Sequence, residues 1–168
     1  MRRPLSSLHF MALVGIVASA AWVEAARPRL VGRDGLPERE VRGRVAQVLT
    51  GAAAYPGIEV SAQYFPQSVA SGDPRPDSVI LWTRVDDSAL AAQDLSVRLI
   101  VSKDKYFNRI VFNDVVPAKA EYDHCVKYKL AGLEPGTSYV YFFAYSKGSA
   151  LYLSRLGRTK TAPAPGSN

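Results

Sequence analysis

The chain has 168 residues, room for one domain of ordinary size plus short extras, and its 48% hydrophobic content is enough for a packed core. The formal charge of +6 is scattered rather than blocked. It falls by two, to +4, once residues 1–20 are set aside, since these carry Arg2 and Arg3 and no acid. That balance argues for solubility and against a nucleic-acid partner, and Cys125, the only cysteine, excludes an intrachain disulfide.

Residues 1–20 read as a signal peptide. Arg2 and Arg3 form a positive start, Phe10 to Ala20 an apolar stretch, and Ala18-Ser19-Ala20 a cleavage site, with Val23-Glu24-Ala25 the alternative. The apolar run of about 14 residues falls short of the ~20 that span a bilayer, so no stable membrane anchor is expected. Export to the periplasm or cell exterior is the expectation, by the Sec or the twin-arginine route.

Residues 21–62 read as a linker, poor in aromatics, with a possible short amphipathic helix over 38–50. Pro37 suits its first turn, Glu38 and Glu40 favour its positive end, and Val41, Val45, Val48 and Leu49 share one face. Whether that helix docks is left open by the sequence.

From Tyr64 onward, short alternating segments recur between turn signals. They are Phe65–Ala70, Ser78–Val85, Leu95–Ser102, Arg109–Val116 (ended by Pro117), Tyr122–Leu130, Tyr139–Tyr145 and Leu151–Thr161. Seven strands without a long helix predict an all-β, antiparallel sandwich of fibronectin type III or immunoglobulin-like kind over residues 63–162. The run Ser71-Gly72-Asp73-Pro74-Arg75-Pro76-Asp77 reads as a rigid corner between the first two strands. Gly72 is free to take a positive φ, Pro74 and Pro76 fix their own φ, and Asp73 and Asp77 are suited to bonding backbone amides. Pro135 and Gly136 make a second turn, with Tyr139 placed to form a tyrosine corner or simply to fill the core.

The string Ser68 to Arg84, S-V-A-S-G-D-P-R-P-D-S-V-I-L-W-T-R, resembles the start of the N-terminal domain of PhoD-like alkaline phosphatases. Asp123–Lys127, Gly132–Thr137 with Tyr139, and Gly157–Pro163 resemble its later segments in order. The resemblance implies an exported metallophosphatase that also cleaves phosphodiesters, whose iron and calcium are held by a catalytic domain C-terminal to this one. Residues 163–168 would then be the stub of a linker to that missing domain.

The residues themselves offer little chemistry. A two-metal phosphatase needs several Asp, His and Asn ligands around two cations, whereas His124 is the only histidine beyond residue 20, on the apparent inward face of a strand. Asp73 and Asp77 read as turn formers, and Asp86-Asp87 offers too few oxygens for calcium. Cys125, beside Lys127 and Lys129, reads as a tolerated substitution rather than a reactive thiol. No catalytic, cofactor or metal residue is assigned. Gly72, Asp73, Pro74, Asp77, Trp82, Pro135, Gly136 and Tyr139 are read as structural.

One anomaly remains. Ser78–Val85 is apolar on both faces, and Phe142 opposes Tyr141 and Phe143, where a sheet with one wet face should alternate cleanly. Val79, Leu81 and Phe142 are therefore candidates for a surface that a second domain covers. The chain is accordingly read as a non-catalytic accessory domain of a PhoD-like alkaline phosphatase or phosphodiesterase. The alternative is a stand-alone fibronectin type III-like binding module, and the corresponding domain of a purple acid phosphatase is a third, fold-level analogy.

Overall fold

The structure, a computed structural model, describes residues 38–50 and 58–167. The signal-peptide reading of residues 1–20 and the linker readings of 21–37 and 51–57 lie outside the described residues. Among those described, one helix, α1 (Glu38–Thr50), precedes nine strands: β1 (Ile58–Val60), β2 (Val69–Gly72), β3 (Ser78–Arg84), β4 (Leu95–Ser102), β5 (Ile110–Ala118), β6 (Cys125–Ala131), β7 (Ser138–Lys147), β8 (Ala150–Leu153) and β9 (Gly157–Lys160). The larger sheet runs β1-β8-β7-β4-β5, with β9 alongside the first half of β7, and the smaller runs β2-β3-β6.

β8 and β9 are one strand interrupted by a bulge. Ala144 pairs with Leu153 and Tyr141 with Gly157, so three residues on one strand oppose two on the other. Ser154 fills the gap: its hydroxyl accepts from the Phe143 amide at 2.9 Å, and its own amide donates to the Phe143 carbonyl at 2.9 Å. The antiparallel sandwich thus has the seven strands read from the sequence. An eighth, β1, pairs in parallel with β8 through Ile58 and Leu151. The sheet therefore begins at Ile58, inside the stretch expected to be linker, because Ile58 is buried against the apolar outer side of this sheet.

The core between the sheets takes Val79, Leu81 and Val85 from the β3 segment, and Leu95, Val97, Leu99 and Val101 from β4. It also takes Tyr139, Tyr141, Phe143 and Tyr145 from β7. Val79 and Leu81, expected on an outer surface, are 1% and 0% exposed. Ile80 and Trp82 are the residues that face outward, half-buried. The pairing explains the inversion: Ile80 sits opposite Lys129 and Trp82 opposite Lys127. Directly paired residues share a face, and the lysines require that face to be the wet one.

The larger sheet is apolar on its outer side as well, through Ile100, Val140, Phe142, Ala144, Leu151 and Leu153. Phe142, the third expected surface residue, is only 2% exposed. The helix answers the question its sequence left open: α1 lays Val45 and Ala46, each 1% exposed, onto this surface, with Val48 and Leu49 partly buried beside them. Phe107 closes the cover, its ring 5.1 Å from that of Phe142 at 76°. It is held in a left-handed conformation (φ 57°) by a loop wound around Asp104, whose carboxylate accepts from the amides of Arg109 (2.7 Å), Tyr106 (2.9 Å) and Asn108 (3.3 Å). Burial opposes that carboxylate's charge, but these amides outweigh it and its pKa lies below the usual range.

Several strand boundaries differ from the sequence reading, and β2 spans Val69–Gly72 rather than Phe65–Ala70. β5 runs through Pro117 to Ala118, which an edge strand tolerates because it has no neighbour on one side. β6 begins only at Cys125: residues 120–122 form a 3₁₀ turn, and Asp123 and His124 are left-handed (φ 53° and 51°). Tyr122 is consequently 61% exposed rather than on the strand's inner face.

Candidate functional site

Three of the four stretches that carry the family resemblance meet at one end of the sandwich, where β9 leads the chain out. The β2–β3 corner, the β6–β7 turn and the segment after Lys160 are joined there by backbone bonds. The Ala162 amide donates to the Arg75 carbonyl (3.1 Å), that of Gly136 to Ala162 (2.9 Å), and that of Leu133 to Asp77 (2.9 Å). Thr161, 2% exposed, fastens the exit strand to the β6–β7 turn. Its hydroxyl donates to the Glu134 carbonyl (2.6 Å) and accepts from the Thr137 amide (3.0 Å), while its amide donates to the Thr137 carbonyl (3.1 Å).

Tyr139 locks the same turn. Its hydroxyl accepts from the Glu134 amide at 2.9 Å and its ring is 2% exposed, the geometry of a tyrosine corner. Gly136 supplies the positive φ (62°) that the turn after Pro135 needs. The β2–β3 corner is built differently from the sequence reading. Asp73, not Gly72, takes the left-handed conformation (φ 45°), while Gly72 closes β2. Asp73 pairs with Arg75 (3.0 Å), and Asp77 accepts from the Ser78 hydroxyl (3.2 Å). The backbone bond across the corner runs instead from the Arg75 amide to the Ser78 carbonyl (2.8 Å). Pro74 and Asp77 are exposed on this rim.

A contact across the sheets ties the first and last motifs together. The Tyr141 hydroxyl bonds Ser71, and burial pushes its pKa up to about 12 although that bond works the other way. A Cβ placed on Gly157 would lie 2.6 Å from Cε1 of the Tyr141 ring, so glycine there is what lets the ring lie flat against β9. Sequence reasoning missed this pairing, because nothing local to Ser71 or Gly157 signals a tyrosine on a third strand.

The remaining candidates are dispersed. His124 is buried, with Nε2 2.8 Å from the Gln93 carbonyl. Asp123 makes a two-pronged pair with Arg84 (2.7 and 3.0 Å), which also reaches Asp86 (3.2 Å). Asp87 is buried at the opposite end of β7, where it accepts from the Tyr145 hydroxyl (2.8 Å) and the Lys147 ammonium (2.8 Å). Lys147, against the cost of burial and together with Tyr145, holds the Asp87 carboxyl below its usual range; burial and that carboxylate push the Tyr145 phenol up. Trp82 and Cys125 line an outer groove of about 490 Å³ with Tyr122, Pro117, Lys119 and Lys127. Among the described residues no group of three or more His, Cys, Asp or Glu could hold a metal ion, and no helix is long and apolar enough to cross a membrane.

One further cluster was invisible in the sequence. Lys103 and Lys105, just after β4, and Arg158 and Lys160, on β9, line a groove of about 530 Å³ beside the start of β7. Lys103 is paired with Glu134 of the β6–β7 turn. The strand order brings these separated basic residues to the end from which the chain leaves.

The described residues thus form a two-sheet β-sandwich with a tyrosine corner and a pinned exit strand. The family described as PhoD-like phosphatase, N-terminal domain, matches residues 51–163, and the chain belongs to it. Alkaline phosphatase D of Bacillus subtilis (strain 168) is 40% identical over 113 residues, which are 64% of this chain and 19% of that protein. A solved structure of PhoD superposes with a TM-score of 0.57 at 40% identity, covering 66% of this chain and 21% of the other. The fibronectin type III domain of human KIAA0970 gives a TM-score of 0.44 at 12% identity, over 60% of this chain and 75% of that one. The chain thus spans about a fifth of the length of the relatives it matches at high identity.

Proposed function

We propose that this domain serves an exported PhoD-like alkaline phosphatase or phosphodiesterase as a non-catalytic support. Its exit end would hold the catalytic portion in a fixed orientation. The observation that carries the reading is the pair Thr161 and Ala162: the nearly inaccessible Thr161 is bonded to the β6–β7 turn and Ala162 to the β2–β3 corner, so the chain leaves the sandwich on a rigid stem. A flexible tether would need no such pinning. Iron and calcium, implied by the family resemblance, fit no residue group described in this chain, and on this reading they belong to the catalytic portion. Export is part of the proposal, supported by Arg2, Arg3, the apolar stretch to Ala20 and the Ala18-Ser19-Ala20 site.

A stand-alone binding module is the second reading, favoured by one observation: α1 covers the outer sheet face, leaving Phe142 buried without help from another domain. A fusion separates the two. Residues 38–168, which keep α1 over the outer sheet face, are joined to the Bacillus subtilis alkaline phosphatase D chain from which its own N-terminal domain has been removed, and turnover of p-nitrophenyl phosphate and its bis-ester is measured. The support reading expects the fusion to be more active and more heat-resistant than the remainder alone. A remainder that performs equally well by itself refutes it and leaves the stand-alone module. The 168-residue chain, supplied with iron and calcium, is expected to show no turnover above a metal-only control. Turnover that survives repurification overturns its non-catalytic role.

A further inference from the structure

We infer that the groove formed by Lys103, Lys105, Ser138, Arg158, Thr159 and Lys160 binds a soluble phosphorylated anion. Four cationic side chains from two separate segments converge on it, and the acid bonded to one of them is Glu134, paired with Lys103. The Asp104 carboxylate is turned into its own loop and occupied by three backbone amides. Four cations lining one groove favour a negatively charged ligand, and the 103–105 segment is braced. The Lys103–Glu134 pair ties the β4–β5 loop to the β6–β7 turn, and the Lys105 ammonium rests 5.3 Å from the centre of the Tyr106 ring.

The geometry selects the class of ligand. Val140 of β7 is paired with Arg158 of β9 and Ser138 with Lys160, so these two cations project from the same face of β9, with a hydroxyl beside them. Lysines supply mobile point charges and arginine a planar fork, which together suit the several acceptor oxygens of a phosphate group. A volume of about 530 Å³ exceeds what one inorganic ion fills, and it lies within the ~300–1,000 Å³ of small-molecule sites. The ligand is then a phosphate ester or a short run of linked phosphates.

Position gives the groove its use. Lys160 directly precedes Thr161, the pinned residue of the exit strand, so an anion held here lies beside the stem by which the chain leaves the sandwich. On the support reading, the portion that stem carries acts on phosphate esters, and the groove would gather or orient them. This role rests on that reading; binding by the isolated chain does not.

The test is a titration of the full chain with sodium tripolyphosphate at low salt, monitored by calorimetry and by backbone amide shifts. Shifts are expected at residues 103–105, 138–140 and 158–160. The Lys105→Ala/Lys160→Ala double variant should bind about tenfold more weakly, and each single change about threefold, as suits partly exposed charges. The Lys105→Arg/Lys160→Arg variant should retain binding. Unchanged affinity in the alanine double variant, or shifts centred on Lys127 and Lys129, overturns the assignment. So does binding to phosphatidylglycerol vesicles with no response to tripolyphosphate, since the ligand proposed is soluble. An inactive fusion alongside intact anion binding would sink the support role and leave the groove; the converse result would do the reverse.

Discussion

The docking of α1 decides whether the outer face of the larger sheet is a surface or an interior, and Val45→Asp tests it. Val45 is 1% exposed among Ile100, Phe142 and Leu153. A carboxylate there has no partner on the apolar sheet face, and an unpaired charge is not tolerated in such surroundings. The helix must leave. On the helix side alone that forfeits about 3 kcal/mol: about 1.5 for Val45, with the rest from half-burial of Val48 and Leu49. A helix of 13 residues has little stability of its own in water, so undocking also melts it.

Two consequences can be read together. Far-UV circular dichroism should lose its helical component, and a hydrophobic dye should begin to bind as Phe142, Val140 and Ile100 become accessible. The sandwich, whose inner core is separate, should keep its near-UV signal. Arg44→Asp serves as the control: it makes a larger charge change at a neighbouring, exposed helix position and should stay within about 0.5 kcal/mol of the parent. A Val45→Asp protein with unchanged helicity, urea midpoint and dye response would refute the docking. It would also make Phe142 once more a surface awaiting a partner.

Tyr139→Phe keeps the buried ring but strands the Glu134 amide; we expect a loss of about 1 kcal/mol and a Tm lower by about 4–8 °C, and an unchanged urea midpoint would show that the corner bond contributes nothing. The Asp87 carboxyl has a folded pKa below its unfolded one, so the stability it contributes is present above about pH 4 and lost as pH falls through the folded value. In Lys147→Met that acid-side slope should flatten, because the largest cause of the lowering is gone while burial still opposes the charge; stability curves for variant and parent that stay parallel from neutral pH to about pH 2 would refute the pairing.

Much of the sandwich was legible because strands write their own period. Tyr139, Tyr141, Phe143 and Tyr145 share an inner face as alternation requires, and all four are in the core. The tyrosine corner was legible too, since a Pro-Gly turn and the tyrosine that closes it lie within five residues. Facing was not legible where alternation fails. In Ser78–Arg84 either side could be the inner one, and the choice is made by Lys127 and Lys129 on a strand some forty-five residues away, through a register no local pattern encodes. The basic groove and the Ser71–Tyr141–Gly157 contact were hidden for the same reason. Each joins segments that only the strand order makes neighbours.

The apolar excess at Phe142 holds a more general point. Two features of the chain were each incomplete alone: an amphipathic stretch over 38–50 with nothing to cover, and a strand too apolar for a sheet with one wet face. Taken separately, they leave an orphan helix and an exposed surface in need of a second domain. Physically each is the solution to the other, because an apolar stripe about three turns long and an apolar sheet face of similar reach are worth several kcal/mol only when they meet. The structure brings Val45 and Ala46 onto Phe142, Val140 and Ile100. On the support reading, the surface that would meet a catalytic portion is therefore not the apolar one but the polar rim at the exit end, where Asp73, Arg75 and Glu134 are exposed over the bonded turns.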